Sequence, residues 1–242
     1  MRDVLVLCYH GVSDTWPVDI AVTPRNLEAQ LERLVSNGYR GTTFADAVTS
    51  PPFERTLAVT FDDAYLSVLE LAFPILDALE LPGTVFAVTD FADSGRSLIW
   101  DGIDVWAEGD HADELRGLSW AQLADLDRAG WEIGSHTRTH PRLTRLDDEA
   151  LAKELVASRA ACERALGRPC RSFAYPYGDV DRRVVAAAGR AGYVAAGTLP
   201  SRLEPSPSAL DWPRVGVYRG DSLARFGIKA SATVRRLRRV RR

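Results

Sequence analysis

Cysteine is scarce in this chain: Cys8, Cys162 and Cys170 are the only three in 242 residues. An odd number without metal-site spacing argues against a disulfide framework and fits a reducing compartment. Long apolar runs are missing as well. The longest is about the length of a strand, far short of the ~20 residues that a bilayer-spanning helix needs. The opening stretch, MRDVLVLCYHG, has too short an apolar segment and no small-residue cleavage site for a secretory signal. The expected location is therefore cytoplasmic, with a peripheral position at the inner membrane face included. No internal repeat is present. With 46% hydrophobic and 26% charged residues, the composition is that of an ordinary globular protein, which excludes disordered and fibrous classes.

Net charge is −3 and unevenly placed, because the last eight residues, RRLRRVRR, hold six of the thirty Lys and Arg. The body left behind is acidic and poorly suited to wrapping nucleic acid, so no specific nucleic-acid partner is expected. The Arg-rich tail could give weak contact with an anionic membrane face. A solvated helix end or frayed terminus explains the same composition.

Short apolar, β-branched runs alternate with amphipathic stretches, the pattern of βα units around a mostly parallel sheet. Strands are expected at Val4–Tyr9, Leu57–Phe61, Thr84–Val88, Trp131–Ser135, Ser172–Tyr175, Tyr193–Ala196 and Val215–Val217. One helix is expected from an N-cap at Thr23 with Pro24 first, stopping at Gly38. Others should run from Ser119 to Gly130 and from Asp147 to Leu166, the last placing Leu151, Leu155, Cys162 and Leu166 on one stripe. Thr89 to Gly117, rich in Gly, Asp and Trp, reads as an irregular excursion, and the proline-rich residues 200–213 as a surface loop. The expected organisation is a single catalytic domain over residues 1–228 and a basic tail over 229–242.

The residues with chemical reach fall at strand ends. His10 ends the first expected strand, Asp62 and Asp63 the second (TFDDAY), His136 and His140 follow the fourth (SHTRTH), and Pro176, Tyr177 and Gly178 the fifth (AYPYG). In parallel α/β folds these ends form the floor of the site. His136 and His140 are four apart, so both rings can reach one divalent ion, and a carboxylate would add a hard third ligand. Two adjacent carboxylates beside an apolar core are costly unless a cation compensates one of them. Reading Asp62 and Asp63 as the cap of a helix over Tyr65–Leu76 is the structural alternative. Three protein ligands with an open position describe a catalytic ion, at which a water would be acidified toward a pKa of ~7.

Taken together, TFDD, SHxxxH and the PYG of AYPYG resemble the first three motifs of the polysaccharide deacetylases, carbohydrate esterase family 4. The resemblance runs from the first strand to VGVYRGDS. It implies an α/β fold, a single-domain distorted (β/α) barrel with about seven parallel strands. It also implies metal-dependent hydrolysis of an acetyl group from an N-acetylated sugar or glycan. By motif, Asp62 would be the general base, Asp63, His136 and His140 would bind the divalent metal, usually zinc, and the backbone N–H of Tyr177 would help hold the oxyanion.

Two departures matter. The common family pattern has a late Leu-x-His motif whose histidine is the acid, and this chain has no histidine after His140; it also carries Ala174 where the pattern has arginine. Asp211–Trp212 resembles the family's fourth motif only superficially, and Trp212 reads equally as a loop anchor. A branch opening with a YHxV-like strand end and reading YPYG in its third motif resembles the chain more closely. In that branch the early histidine takes the place of the late one, which assigns His10 as general acid. Arg214 could then orient or tune Asp62 in place of the lost arginine, or be a plain salt bridge. The same catalytic groups would serve an O-acetyl esterase or a small-amide hydrolase, and the departures admit a decayed, glycan-binding or assembly protein.

Overall fold

Beside the two-residue strand Arg40–Gly41, which pairs with Arg55–Phe61, eight strands lie side by side in one all-parallel sheet in the computed structural model, which describes residues 2–199 and 208–235. They are β1 (Asp3–Tyr9), β2 (Arg55–Phe61), β3 (Gly83–Ala87), β4 (Glu132–Ser135), β5 (Ser172–Ala174), β6 (Ala195–Thr198), β7 (Trp212–Pro213) and β8 (Val215–Gly216). Their order is β7-β6-β5-β4-β3-β2-β1-β8. β7 and β8 are the two halves of one extended segment with Arg214 between them. The first half pairs with β6 and the second with β1, so the segment fills the gap between the last and first strands and nearly closes a barrel. Counted once, it makes seven staves, the expected number. Pro213, which has no N–H to offer a ladder, sits where the segment passes from one neighbour to the other.

Helices cover the outside of the barrel, and its N-terminal end is plugged. This is why β1 and β2 read as continuous apolar runs: both faces of each strand are covered. Val6, Ala58, Phe86, Ala174 and Ala195 pack with Phe44, Ala45, Ala47 and Val48 of a short helix, α2 (Phe44–Thr49). Burying Phe44 and Phe86 there is worth roughly 1.5–3 kcal/mol each. With that end closed, the strand C-termini form the open floor among the described residues, where loops can bring polar groups together.

The outer helices start where the sequence places them. Thr23 accepts from Asn26 N at the head of α1 (Pro24–Ser36). Further along come α3 (Phe73–Ala78), α4 (Trp120–Arg128), α5 (Asp148–Leu166), α6 (Arg182–Arg190) and α7 (Leu223–Ala230). Ser119 and Gln122 form a reciprocal capping box on α4, and Asp147 caps α5, which ends on left-handed Gly167 (φ 68°). No helix among the described residues is long and apolar enough to cross a membrane.

Some boundaries differ from expectation. Tyr175 lies outside β5, because the chain already turns there toward Pro176. Tyr193 packs before β6 begins rather than within it. The closing segment starts at Trp212, inside the stretch expected as loop, and Trp212 joins the apolar plug. Within the expected tail, Arg235 donates to Asp3 Oδ1 at 2.7 Å, to the Val4 carbonyl at 2.9 Å and to Tyr39 Oη at 3.1 Å. Residues 236–242 lie outside the described residues.

Candidate active site

The turn after β2 carries two carboxylates in a conformation that side chains rarely adopt. Asp63 and Ala64 have φ of 71° and 63°. Such a turn is incompatible with the helix cap considered for this pair, and helical structure begins only at Leu66, after the turn. Of the seven non-glycine residues with positive φ among the described residues, five, namely Asp63, Ala64, Thr137, His140 and Tyr177, belong to the motifs at this end of the barrel. Strain of roughly 1–3 kcal/mol per residue persists only where the surroundings enforce it, and it concentrates at functional sites.

Asp62 is fully ion-paired. Its Oδ1 accepts from Arg214 Nη1 at 2.6 Å and its Oδ2 from Arg214 Nη2 at 2.8 Å, while Thr60 Oγ1 accepts from the same Nη1 at 3.1 Å. Burial alone would raise the pKa of Asp62. The Arg214 charge, with help from His136 and the Arg214 hydrogen bonds, outweighs it and holds the carboxyl well below the usual carboxylate range. Arg214 fits because two neighbours are small. A Cβ on Gly197 would lie 2.6 Å from Arg214 Nε, and Ala174 leaves the space beside it to the apolar plug.

Asp63 turns the other way. Its Oδ1 lies 3.4 Å from His136 Nε2 and 3.5 Å from His140 Nε2, and it is buried without a hydrogen-bond partner. Ligand atoms held tetrahedrally at about 2.1 Å from one ion stand about 3.4 Å apart, which is the spacing found here. The donor set, one carboxylate and two imidazoles, suits zinc or a similar divalent ion. The groups therefore fit a metal. His136 Nδ1 is 2.9 Å from the Ala174 carbonyl, so it carries the proton and leaves Nε2 free to ligate. Burial pushes His140 down to about 3, into the neutral form a ligand needs.

The remaining expected residues join the same mouth. Cys8, His10 and Asp62 each offer an atom within 4.8 Å of the others. This trio is a poor metal site: both Asp62 oxygens are committed to Arg214, and burial pushes the Cys8 thiol up, away from the thiolate that ligation requires. Instead Cys8 Sγ lies 3.4 Å from Asp62 Oδ2 as a weak donor beneath it. Tyr177, at φ 59°, caps the turn begun by Pro176, with its ring 4.6 Å from that of His140 and Arg142 over its other face at 4.1 Å. Tyr65, one of the aromatic residues able in principle to stack on a sugar, is fully buried against Trp16 and cannot do so.

Sequence reasoning missed several supporting residues. Cys8 and Thr60 pair across β1 and β2, and strand alternation starting from His10 and Asp62 would have placed both on the inner face. Glu154 on α5, only 8% exposed, accepts from Arg138 N at 2.9 Å and from Thr139 N at 3.0 Å, fixing the loop between the two histidines. Nothing in its helical stripe marks it, since only the fold brings that loop over α5.

A family model described as polysaccharide deacetylase matches residues 49–196. Over 228 residues the chain is 25% identical to the Bacillus subtilis protein YxkH, spanning 92% of this chain and 74% of that one. A chitooligosaccharide deacetylase of a Bradyrhizobium strain is 37% identical over 109 residues, 43% of this chain and 45% of the relative. The crystal structure of a polysaccharide deacetylase from Bacillus cereus superposes with a TM-score of 0.75 at 25% identity, covering 95% of this chain and 69% of that one.

Proposed function

The chain belongs to the polysaccharide deacetylase family, and from that premise we propose that it is a divalent-metal-dependent hydrolase that removes the acetyl group from an N-acetylated sugar of a glycan or glycan precursor. One observation carries the reading: an orphaned Asp63 oxygen, nearly equidistant from two imidazole nitrogens, sits beside an ionised Asp62 at the open end of the barrel. Asp63, His136 and His140 hold the ion, for which zinc fits the donor set. When bound, it supplies Lewis acidity, polarising an acyl oxygen and making water acidic enough for a weak base to deprotonate.

Asp62 is that base. Its low pKa keeps it ionised throughout the working range, and the two Arg214 hydrogen bonds fix the direction in which its oxygens face. The backbone N–H of Tyr177 donates to the oxygen that becomes negative as water adds to the acyl carbon. His10 gives a proton to the amide nitrogen as the C–N bond breaks, so acetate and a free amine leave. Asp62, held so strongly ionised, is unsuited to hold the proton that the leaving nitrogen needs, so a separate donor is required.

Acetate release from N-acetylated sugar oligomers, O-acetylated sugars and small cyclic amides, measured with the zinc-loaded protein, tests the assignment. Turnover of the N-acetyl substrates supports it. Turnover of esters or cyclic amides alone replaces it with an esterase or small-amide hydrolase.

A further inference from the structure

The two imidazoles of the metal triad are held by different means. His136 has the usual arrangement for a ligand, with Nδ1 on a carbonyl, that of Ala174, at 2.9 Å. His140 has no such partner: its Nδ1 is buried and unpaired. Instead its ring lies against the indole of Trp100, with centroids 4.1 Å apart and planes at 27°, and meets Tyr177 on another side at 4.6 Å. Trp100 comes from the irregular excursion between β3 and α4 and is anchored there. Phe91 packs edge-on against it at 5.6 Å, and its carbonyl accepts from Ile103 N and Asp104 N, both at 3.1 Å. The next residue, Asp101, reaches Arg142 at 3.4 Å, the guanidinium that covers Tyr177.

We propose that Trp100 is a positioning residue for the metal triad: its indole face does for His140 what a hydrogen bond to Nδ1 does for His136. This rests on the proposed metal site and adds to it an element that the motifs do not contain. The physical case has two parts. A ring that lacks a hydrogen bond can turn about its Cβ–Cγ bond, and a stacked face removes that freedom, so Nε2 stays aimed at Asp63. An imidazole that donates electron density to a dication also becomes electron-poor, and the electron-rich indole face attracts it more strongly in that state. The stack therefore favours the loaded protein over the empty one.

The test is zinc affinity, measured by competition with a chromogenic chelator on the full chain, with thermal midpoints of the metal-free proteins alongside. Trp100→Leu is expected to weaken zinc binding about tenfold or more, the range found when an outer partner of a ligand is lost. Trp100→Phe, which restores an aromatic face, should recover most of that loss. A purely structural Trp100 would lower the thermal midpoint without this rescue pattern in affinity. Trp100→Met keeps bulk without a ring and serves as the second variant should the leucine protein not fold. Zinc affinity in Trp100→Leu or Trp100→Met equal to wild type overturns the inference, as does an equal loss in Trp100→Phe. Failure of the wild-type chain to bind zinc overturns the metal site itself, and the inference with it.

Discussion

Arg214 and Asp62 stand 152 positions apart in the sequence and meet as a parallel pair, Nη1 to Oδ1 at 2.6 Å and Nη2 to Oδ2 at 2.8 Å. Both are buried, so each charge is offset chiefly by the other, with Thr60 Oγ1 accepting from the guanidinium and Cys8 Sγ a weak donor to the carboxylate. The pair exists because the closing segment, shared between β6 and β1, carries Arg214 into the barrel above the apolar plug. The arginine of the common family pattern would stand at position 174 on β5. Here alanine stands there, and the guanidinium reaches Asp62 from the closing segment instead.

Arg214→Met removes the charge that offsets burial, so the pKa of Asp62 rises. The acidic limb of the pH profile of kcat/KM should move to higher pH. Breaking such a buried pair costs about 3–5 kcal/mol, readable by urea unfolding. The pair's own pH dependence has a fixed sign: a depressed carboxylate stabilises fully above its unfolded pKa of ~3.9 and loses that contribution as pH falls further. Acid unfolding of the variant should therefore be less steep below that pH. An unmoved acidic limb would mean that Asp62 does not need the arginine.

Gly197→Ala tests the same pair from the other side. The added methyl would lie 2.6 Å from Arg214 Nε and 2.7 Å from its Cδ, and the guanidinium is locked at its far end. A loss of about 1–3 kcal/mol is expected. Activity should fall in the same direction as in Arg214→Met. Gly220→Ala, where a Cβ meets nothing within 4 Å, is the control and should leave both unchanged.

His10→Ala should lower kcat by about a hundredfold or more while zinc content stays at the wild-type level, because a general acid contributes roughly 10²–10⁴-fold and this one ligates nothing. Loss of zinc together with activity would reassign His10 to the metal.

Glu154→Leu leaves the Arg138 and Thr139 amides without their carboxylate acceptor. Both bonds are only part-buried, so water can replace some of what is lost, and the cost should be about 0.5–1.5 kcal/mol for each. Because those amides lie between His136 and His140, zinc affinity should fall along with the thermal midpoint. A lower midpoint at unchanged affinity would limit Glu154 to a structural part.

What could be read in the sequence was local. The apolar runs of β1 and β2, the cap at Thr23, the helix starts at Ser119 and Asp147, and the short motifs carrying Asp62, Asp63, His136, His140 and Tyr177 each lie within a few residues, where periodicity and spacing suffice. What escaped depends on closure. The half before Arg214, Trp212–Pro213, has no periodicity to detect and lies in the stretch expected as loop, and the need for glycine at 197 appears only once an arginine from another strand crosses it. Trp100 belongs to a segment without a repeat pattern, so its seat on His140 is purely tertiary. Tyr65 follows a strained turn whose sharp change of direction sends its ring into the core, and helical periodicity cannot anticipate that.

The most direct test of the central claim is acetate released from an N-acetylglucosamine oligomer by the wild-type chain after chelation and after zinc is restored, with Asp62→Asn in parallel. The account predicts no release after chelation, recovery with zinc, and a variant that binds zinc yet releases acetate at least about a hundredfold more slowly. Equal release with and without the metal, or an Asp62→Asn protein as active as wild type, would contradict it.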